Sequence, residues 1–517
     1  MADSTASSKS SGTAGTALTT ATFGDSRERK IVLLLCALAA IHVFVFSAAF
    51  SFFNNVDEAI HFDLVLKYSH GNVPRKLETI SPESAGYLAL MNSHAYLGIP
   101  GEFPGGHLPP PPWTQAPEKA QQDLAARSAN WQTQENYEVS QTPLYYVLAA
   151  SWWHVGQWLG FKGGGLVYWL RFLNIPLVVF LVWLAYVTTR MIFPGKAFLQ
   201  LGVPALLAFL PQTAFYSIGN DILSPLCFGA TLLFLLKWLS SENLSAPLGA
   251  ATGFAFAATY LSKITNLPLL AVAAVAVIIE IRRWLLRGKL RAMLPALITF
   301  VCCAELPMIG WMIWCKSNFG DPTGSSIKTS FLGWSVKPFA QWWHHPLFTP
   351  TGLWTYLSGQ MGTFWQGEFW WHHQPLILPG TTAIYTLLSL GLMVVGLTAL
   401  LPQFASVASL QRQALQLSFA GFLAALGFFA LMSVVYDFHD CPYPSRQYPY
   451  FTSGRLLLGA LIPFLLLIVY ALDYALNRLG NAAKFFALAA VICAVLVTEI
   501  ATDWPVFSNE YNWFHLP

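Results

Sequence analysis

The sequence is poor in charged side chains, which make up only 10% of its 517 residues, whereas hydrophobic residues make up 55%. A soluble globular chain carries about 25% charged residues, so this deficit excludes an ordinary soluble domain. The sequence also lacks a basic patch interleaved with aromatic side chains, so nothing in it predicts binding to nucleic acid. The few charges lie in short polar stretches between long apolar runs.

Paired cysteine motifs are absent as well. The seven cysteines form no CxxC pair, which excludes the common zinc and thiol redox motifs. No other cluster of side chains indicates a metal or a cofactor, and we predict neither. Cys315 and Cys441 both fall in segments expected to face outward, and the sequence leaves open whether they form a disulfide.

The apolar runs predict an all-α polytopic membrane protein. About 20 helical residues cross the hydrocarbon core of about 30 Å. Eleven segments meet this description approximately: 31–53, 166–189, 198–217, 222–239, 247–262, 267–281, 293–314, 379–400, 414–436, 454–476 and 485–502. Residues 1–26 are rich in Ser, Thr, Ala and Gly and predict a disordered N-terminal tail.

Lysine and arginine in the short loops predict that the N-terminus is cytoplasmic. The clearest cluster is the loop 282–291, which holds four arginines and one lysine. The segment 144–160 mixes Trp, His and Gln with apolar residues, so we interpret it as an interfacial helix and not as a further span. The predicted transmembrane domain is 27–502, with outer loops at 54–165, 315–378 and 437–453 and an extracytoplasmic C-terminal tail at 503–517.

The first span ends in a string of polar residues that includes Asp57, Glu58 and His61. Acids at the membrane edge can act on a substrate whose lipid tail stays in the bilayer, and a carboxylate there can accept a proton from a hydroxyl. Solvated residues at a helix end explain the string equally well.

Three further strings place polar residues at the predicted outer ends of other spans. Asn220 and Asp221 open a span, where helix capping is an alternative to a functional role. Lys263 lies between two spans and would either bind an anionic group such as a lipid phosphate or reach the headgroups. Arg455 begins a span, and the helix N-terminus also favours anions, so a phosphate partner competes with an interfacial anchor.

Two charged residues fall inside predicted spans, where a charge needs a partner. Arg171 lies near the outer end of one span and Glu305 lies within another. Either could pair with the other or with Lys263, and the sequence does not choose between these pairs.

In combination these strings resemble the GT-C glycosyltransferases, which include the protein O-mannosyltransferases and the aminoarabinose transferases of lipid A. The likeness is closest to a bacterial branch of uncharacterised membrane proteins and extends over residues 31–476. It rests on Asp57-Glu58-x-x-His61, Gln141-Thr142-Pro143-Leu144-Tyr145-Tyr146, Asn220-Asp221, Ser262-Lys263 and Gly454-Arg455.

The resemblance implies a transferase that moves a sugar from a polyprenyl-phosphate-linked donor to an extracytoplasmic lipid, glycan or protein acceptor. It implies a bacterial plasma (inner) membrane enzyme with an outward-facing active site. Asp57 would act as base or position the acceptor, with Glu58 as the other candidate base, while Lys263 and Arg455 hold the donor phosphate.

The remaining substrate-binding residues expected on this basis are His61, Tyr145, Arg171, Asn220 and Asp221. Two other functions compete with this one. A flippase or transporter of a lipid-linked glycan would use the same basic residues without catalysis, and a scaffold in envelope assembly would not need them.

Overall fold

In the computed structural model, the described residues are 26–53, 57–401 and 408–517, and nearly all of their regular structure is helical. The prediction of an all-α polytopic membrane protein is confirmed. Of the predicted disordered tail, only Ser26 is described, and it begins the first helix. Residues 54–56, which precede Asp57, also lie outside the described residues.

Twenty α-helices form the described chain. In chain order they are α1 (Ser26–Ala49), α2 (Glu58–Ser69), α3 (Pro82–Met91), α4 (Pro117–Gln132), α5 (Leu144–Trp158), α6 (Gly163–Arg171), α7 (Asn174–Ile192), α8 (Ala197–Ala208), α9 (Thr213–Tyr216), α10 (Leu223–Ser240), α11 (Ala246–Ser262), α12 (Leu267–Leu286), α13 (Leu290–Phe319), α14 (Ser325–Phe331), α15 (Phe339–Trp342), α16 (Pro350–Gln366), α17 (Thr381–Ala399), α18 (Ser409–Val435), α19 (Leu461–Ala475) and α20 (Asn481–Asp503).

Short elements connect these helices. The 3₁₀ helices are Pro100–Glu102, Pro104–Gly106, Pro112–Thr114, Asn220–Ile222, Ile264–Asn266, Pro346–Phe348, Gly454–Ala460, Trp504–Ser508 and Trp513–His515. Three antiparallel pairs of two-residue strands lie in or beside the predicted outer loops: β1 (Glu78–Thr79) with β2 (Glu135–Asn136), β3 (Ser335–Val336) with β6 (Tyr436–Asp437), and β4 (Trp370–Trp371) with β5 (Gln374–Pro375).

Nine helices in the described part of the chain are long and apolar enough to cross a membrane, against eleven predicted spans. The other two predicted spans, 198–217 and 247–262, correspond to the shorter helices α8 and α11. Helix α8 ends at Ala208 because Pro211 lacks a backbone N–H and restricts the residue before it. The chain beyond α8 forms a loop and the short helix α9. Segment 144–160 forms α5, of 15 residues, which is not among the nine.

Helix α19 forms the centre of the bundle. Its residues Leu461–Ala471 are almost all apolar and buried on every side, as expected for an interior helix. In the most apolar stretch of Gly454–Ala475, 83% of residues are buried, compared with 17% in Leu290–Phe319 at the edge. Helices α8, α17 and α18 pack around α19, while α13 packs on α11. Arg455, just before α19, therefore lies close to the middle of the molecule.

The cysteines make no covalent link between the outer loops. Cys315 and Cys441 are both buried and both free, so the disulfide that the sequence left open does not form. The predicted second and third outer loops are linked instead by the pair of β3 with β6, and a shared apolar core continues into the loops from the helical bundle.

Candidate functional site

A narrow cleft lies where several helices end. It is partly open to solvent and is lined by residues of segment 213–219 and by His61, Asp221, Glu368 and Arg455. Asp221 and Arg455 each lie in a 3₁₀ turn that leads into a buried helix, α10 and α19 respectively. The cleft is therefore built from positions that are far apart in the chain.

The guanidinium of Arg455 is surrounded by three carboxylates. Its Nη2 lies 3.2 Å from Asp57 Oδ2, and its Nη1 lies 3.3 Å from Asp221 Oδ2. Its Nε lies 3.8 Å from Glu368 Oε2. The rigid fork of arginine can hold several acceptors at once, so Arg455 links elements that the sequence separates by hundreds of residues.

Two lysines complete the charged cluster. Lys263 donates a hydrogen bond to Asp221. Lys328 donates to Glu138, and its Nζ lies 3.8 Å from Asp57 Oδ2. The structure thus brings Asp57, Asp221, Lys263 and Arg455 together. We refer to these four residues with Glu138, Lys328 and Glu368 as the cleft cluster.

Asp57 occupies an unusual backbone conformation at the start of α2. Its φ of 69° lies in the left-handed region, which non-glycine residues seldom adopt, and such outliers are enriched at functional sites. The Tyr137 hydroxyl donates to Asp57 Oδ1 at 2.5 Å. Burial opposes ionisation of Asp57, but Lys328 and Arg455 outweigh it and hold the pKa of this carboxyl well below its ordinary value. Asp57 is therefore a partnered anion.

His61 lies one helical turn after Asp57 and lines the cleft. Its Nδ1 is 2.7 Å from the Tyr146 hydroxyl. Burial lowers the pKa of His61, which the carboxylates of Glu138 and Asp57 only partly offset, so the ring is neutral near pH 7.

Close packing at Gly454 sets the position of Arg455. A Cβ at residue 454 would collide with the backbone of Phe364 in α16, so only glycine allows this approach. The Gly454 amide donates to Thr363 Oγ1 at 2.7 Å. Glu368 follows α16 directly, and the contact therefore brings Glu368 beside Arg455.

Glu58 and Arg171 form a separate ion pair. Both oxygens of Glu58 accept from Arg171 Nη2, at 2.8 and 2.9 Å, and each side chain is only 1% exposed. The amides of Phe53 and Ile218 also donate to Glu58, while Arg171 donates to backbone carbonyls at the end of α1. Neither of these two side chains lines the cleft. Arg171 thus pairs with Glu58, and Glu305 is exposed on α13 without an ion pair to a described residue.

Tyr145 and Asn220 border the cleft. The Tyr145 hydroxyl accepts from the Gly219 amide at 3.1 Å and so supports the turn that precedes Asp221. Asn220 donates through Nδ2 to Gln141 Oε1 at 2.9 Å. These contacts connect the turn before α10 to α5 and to the segment that precedes α5.

Several buried polar atoms around the cleft have no hydrogen-bond partner among the described residues. They are Arg455 Nε, Glu368 Oε1 and Asn220 Oδ1. Buried polar atoms in folded proteins are nearly always paired. A concentration of unpaired donors and acceptors beside a cleft is therefore typical of a site that binds a polar ligand.

The sequence analysis missed Glu138, Lys328 and Glu368. Nothing in the spacing of Glu138 or Lys328 distinguishes them from other charges of the outer loops. Glu368 had a signal, because it is the only acidic residue between Asp321 and Asp437 and lies beside an aromatic run. A lone acid in such a segment needs a specific partner. Within the described residues, no group of three or more His, Cys, Asp or Glu side chains could hold a metal ion.

These features define a polytopic helical membrane protein with a charged cleft at its helix ends. A family model for predicted membrane proteins, DUF2142, matches residues 35–436, and the chain belongs to that family. No curated protein matches the chain by sequence.

Among solved structures, the chain is similar to ArnT from Cupriavidus metallidurans bound to undecaprenyl phosphate, with 13% identity and a TM-score of 0.45 over 91% of this chain and 65% of that one. It is also similar to the Archaeoglobus fulgidus oligosaccharyltransferase in complex with Zn and sulfate, with 12% identity and a TM-score of 0.42 over 92% of this chain and 53% of that one.

A third similar structure is AglB from Archaeoglobus fulgidus with an inhibitory peptide and a dolichol-phosphate, with 12% identity and a TM-score of 0.41 over 93% of this chain and 56% of that one. The chain therefore spans about two thirds or less of the length of these proteins. All three are GT-C glycosyltransferases, the superfamily that the sequence motifs resemble.

Proposed function

We propose that this protein is a glycosyltransferase that moves a sugar from a polyprenyl-phosphate-linked donor to an acceptor outside the cytoplasm. Lys263 and Arg455 hold the donor phosphate, and Asp57 acts as base or positions the acceptor. The protein works in the plasma (inner) membrane of a bacterium, with the cleft facing outward. The acceptor is a lipid, a glycan or a protein.

The observation that carries this proposal is the unused hydrogen-bonding capacity beside Arg455. Arg455 Nε is a buried donor without a hydrogen-bond partner among the described residues, and Lys263 has one such partner among them for its three N–H groups. Charged donors in a site with little water form strong hydrogen bonds to phosphate oxygens. A phosphate on a lipid chain would reach them from the bilayer, since the cluster lies at the ends of membrane-spanning helices.

The outward orientation is supported by the charges at the two ends of α12. The helix begins four residues after Lys263 and ends within the basic segment 282–291, of which residues 287–289 form the loop to α13. Twenty helical residues span about 30 Å, so the basic loop lies across the bilayer from the cleft. Basic loops favour the cytoplasmic side, which leaves the cleft on the outer side.

The other predicted site residues support the cleft from outside it. Glu58 and Arg171 tie the end of α1 to the segment after α9, and Tyr145 supports the turn before Asp221. His61 lines the cleft as a neutral ring and is available to hydrogen-bond a sugar hydroxyl through Nε2. This division assigns substrate contact to Lys263, Arg455 and Asp57, together with His61.

The test uses the full-length protein in liposomes with a labelled polyprenyl-phosphate sugar and a mixture of envelope acceptors. We expect release of the free carrier phosphate together with transfer of the label. The Arg455→Gln variant should lose this release, whereas Arg446→Gln, which changes an exposed arginine of the third outer loop, should keep it.

The same assay separates the alternatives. A flippase would move the labelled donor across the bilayer intact and release no carrier phosphate. A scaffold would do neither, and joint alanine substitution of Lys263 and Arg455 would leave its role in the envelope unchanged. Intact donor after prolonged incubation with wild-type protein would overturn the proposed function.

A further inference from the structure

Glu368 is a carboxylate that lines the cleft, and one of its two oxygens is free to accept a hydrogen bond. It follows α16, and its backbone amide donates to Thr213 Oγ1 at 2.6 Å, which fixes the residue against segment 213–219. The side chain is 14% exposed and lines the cleft, so a hydroxyl that enters the cleft can reach it. Its Oε1 has no hydrogen-bond partner among the described residues.

Asp57 differs from Glu368 in that both of its oxygens have partners. Tyr137 donates to one of its oxygens, and the other faces Arg455 and Lys328. An anion that is stabilised by two cations and a hydroxyl is a poor proton acceptor, because accepting a proton would forfeit those interactions. Asp57 is therefore suited to holding Arg455 in place.

We propose that Glu368 is the group that accepts the proton of the acceptor hydroxyl, and this assignment rests on the proposed function. The acceptor oxygen forms a bond to the anomeric carbon of the sugar while the bond from that carbon to the carrier phosphate oxygen breaks. The electron pair of the broken bond stays on the phosphate, beside Arg455 and Lys263. The hydroxyl proton passes to Glu368 Oε1 and later to solvent.

The electrostatic surroundings of Glu368 agree with this role. Burial raises the pKa of Glu368, the charge of Asp221 adds to the effect, and Arg455 with the Ser453 hydroxyl offsets it only in part. A base works best when its pKa approaches the working pH. Glu368 acts as base only when ionised, so the rate falls as the pH falls through a value above the ordinary 4.5 of glutamate. We call this fall in rate at low pH the acid limb of the pH profile. With Asp57 as base, the acid limb would instead lie below pH 3.8.

A merely structural role is the competing explanation, since Glu368 also faces Arg455 Nε at 3.8 Å. A counter-ion that only orients Arg455 would affect binding of the carrier phosphate. A proton acceptor affects turnover and leaves that binding nearly unchanged. The two roles therefore differ in which parameter a substitution changes.

The experiment measures kcat from pH 4 to 9 and, separately, the affinity for undecaprenyl phosphate, in wild-type protein, Glu368→Gln and Glu368→Asp. We expect Glu368→Gln to lower kcat by about 10²–10⁴-fold and to lose the acid limb, with little change in the affinity. Glu368→Asp should restore part of kcat together with an acid limb. Glu118→Gln, which changes an exposed glutamate of α4, serves as the matched control and should behave as wild type.

Each contrary outcome has a distinct meaning. Wild-type kcat and an unchanged acid limb in Glu368→Gln would refute Glu368 as the proton acceptor while the proposed function stands. Loss of phosphate affinity in parallel with kcat would also refute it and assign Glu368 a counter-ion role. Wild-type protein that binds no undecaprenyl phosphate and turns over no donor would overturn the proposed function, and this assignment with it.

Discussion

Asp57 and Glu58 are consecutive residues, but their side chains belong to two regions with different charge arrangements. Glu58 forms a closed pair with Arg171, in which both oxygens and most N–H groups are hydrogen-bonded. Asp57 belongs to the cleft cluster, in which four carboxylates share three cations and several polar atoms have no partner among the described residues. The hydrogen bonds of the Glu58–Arg171 pair are formed without a ligand, whereas the cleft cluster has polar atoms that a ligand can bind.

The difference shows how a membrane protein can use charges for two purposes. A buried ion pair is costly to desolvate, so it persists when both partners are fully hydrogen-bonded, as Glu58 and Arg171 are. A bound anion forms new hydrogen bonds with the unpaired atoms of such a cluster, so it binds there more strongly than beside a pair whose groups are already hydrogen-bonded. We therefore expect substitutions in the Glu58–Arg171 pair to lower mainly stability. Substitutions in the cleft cluster should lower mainly activity.

The largest effect on stability is expected for Glu58→Ala. Removing Glu58 leaves the guanidinium of Arg171 buried without its counter-charge, which typically costs about 3–5 kcal/mol of unfolding free energy. The midpoint of thermal unfolding in detergent would measure this loss. Glu118→Ala, at an exposed site of α4, is the control, and equal midpoints for the two variants would show that the pair is not structural.

A second prediction concerns activity at nearly constant stability. Asp57→Asn keeps the shape of the side chain but removes the charge that faces Arg455, so we expect carrier-phosphate release to fall about 10–100-fold. The loss of stability should be smaller than for Glu58→Ala. The control is Asp440→Asn, which changes an exposed aspartate of the third outer loop.

The pH profile of the same variant sharpens the comparison. Because Glu368 is intact in Asp57→Asn, the residual activity should keep the acid limb of the wild type. Full activity in this variant would show that Asp57 is neither base nor positioning group. Loss of the acid limb would instead assign the proton acceptor to Asp57.

The smallest effect is expected for Lys328→Met. Lys328 faces both Glu138 and Asp57 but is 31% exposed, so its charge is partly screened by solvent. Its removal should weaken donor affinity by about fivefold, equivalent to ~1 kcal/mol. A competition assay with labelled donor would measure this change, with the exposed Lys119→Met as control. An effect as large as that of Asp57→Asn would mean that Lys328 binds the phosphate directly.

The sequence predicted the helical architecture well because long apolar runs have few structural alternatives in a membrane. It also selected Asp57, Asp221, Lys263 and Arg455, since each adjoins the end of an apolar run. The sequence did not show which charged residues form ion pairs with one another. Arg171 had Glu305 as a candidate partner, whereas its actual partner, Glu58, is 113 positions away and was assigned to the catalytic group.

The other residues of the cleft cluster were missed for a different reason. Glu138 and Lys328 reach the cleft only through the folding of loops whose path no periodic pattern indicates. Glu368 depends on the close approach of Gly454 to α16, a contact between segments that the sequence treats separately. The predicted span 198–217 is longer than α8 because the prediction used hydrophobicity alone. It did not include the helix end that Pro211 imposes.

The most direct test of the account is the affinity of the purified, folded protein for undecaprenyl phosphate. The central claim is that Arg455, held among three carboxylates, binds the phosphate of a lipid carrier. We expect Arg455→Gln to weaken this binding about 10–100-fold, as the loss of a charged hydrogen bond implies, while Arg446→Gln binds as wild type does. Equal affinity in wild type and in a folded Arg455→Gln protein would contradict the claim.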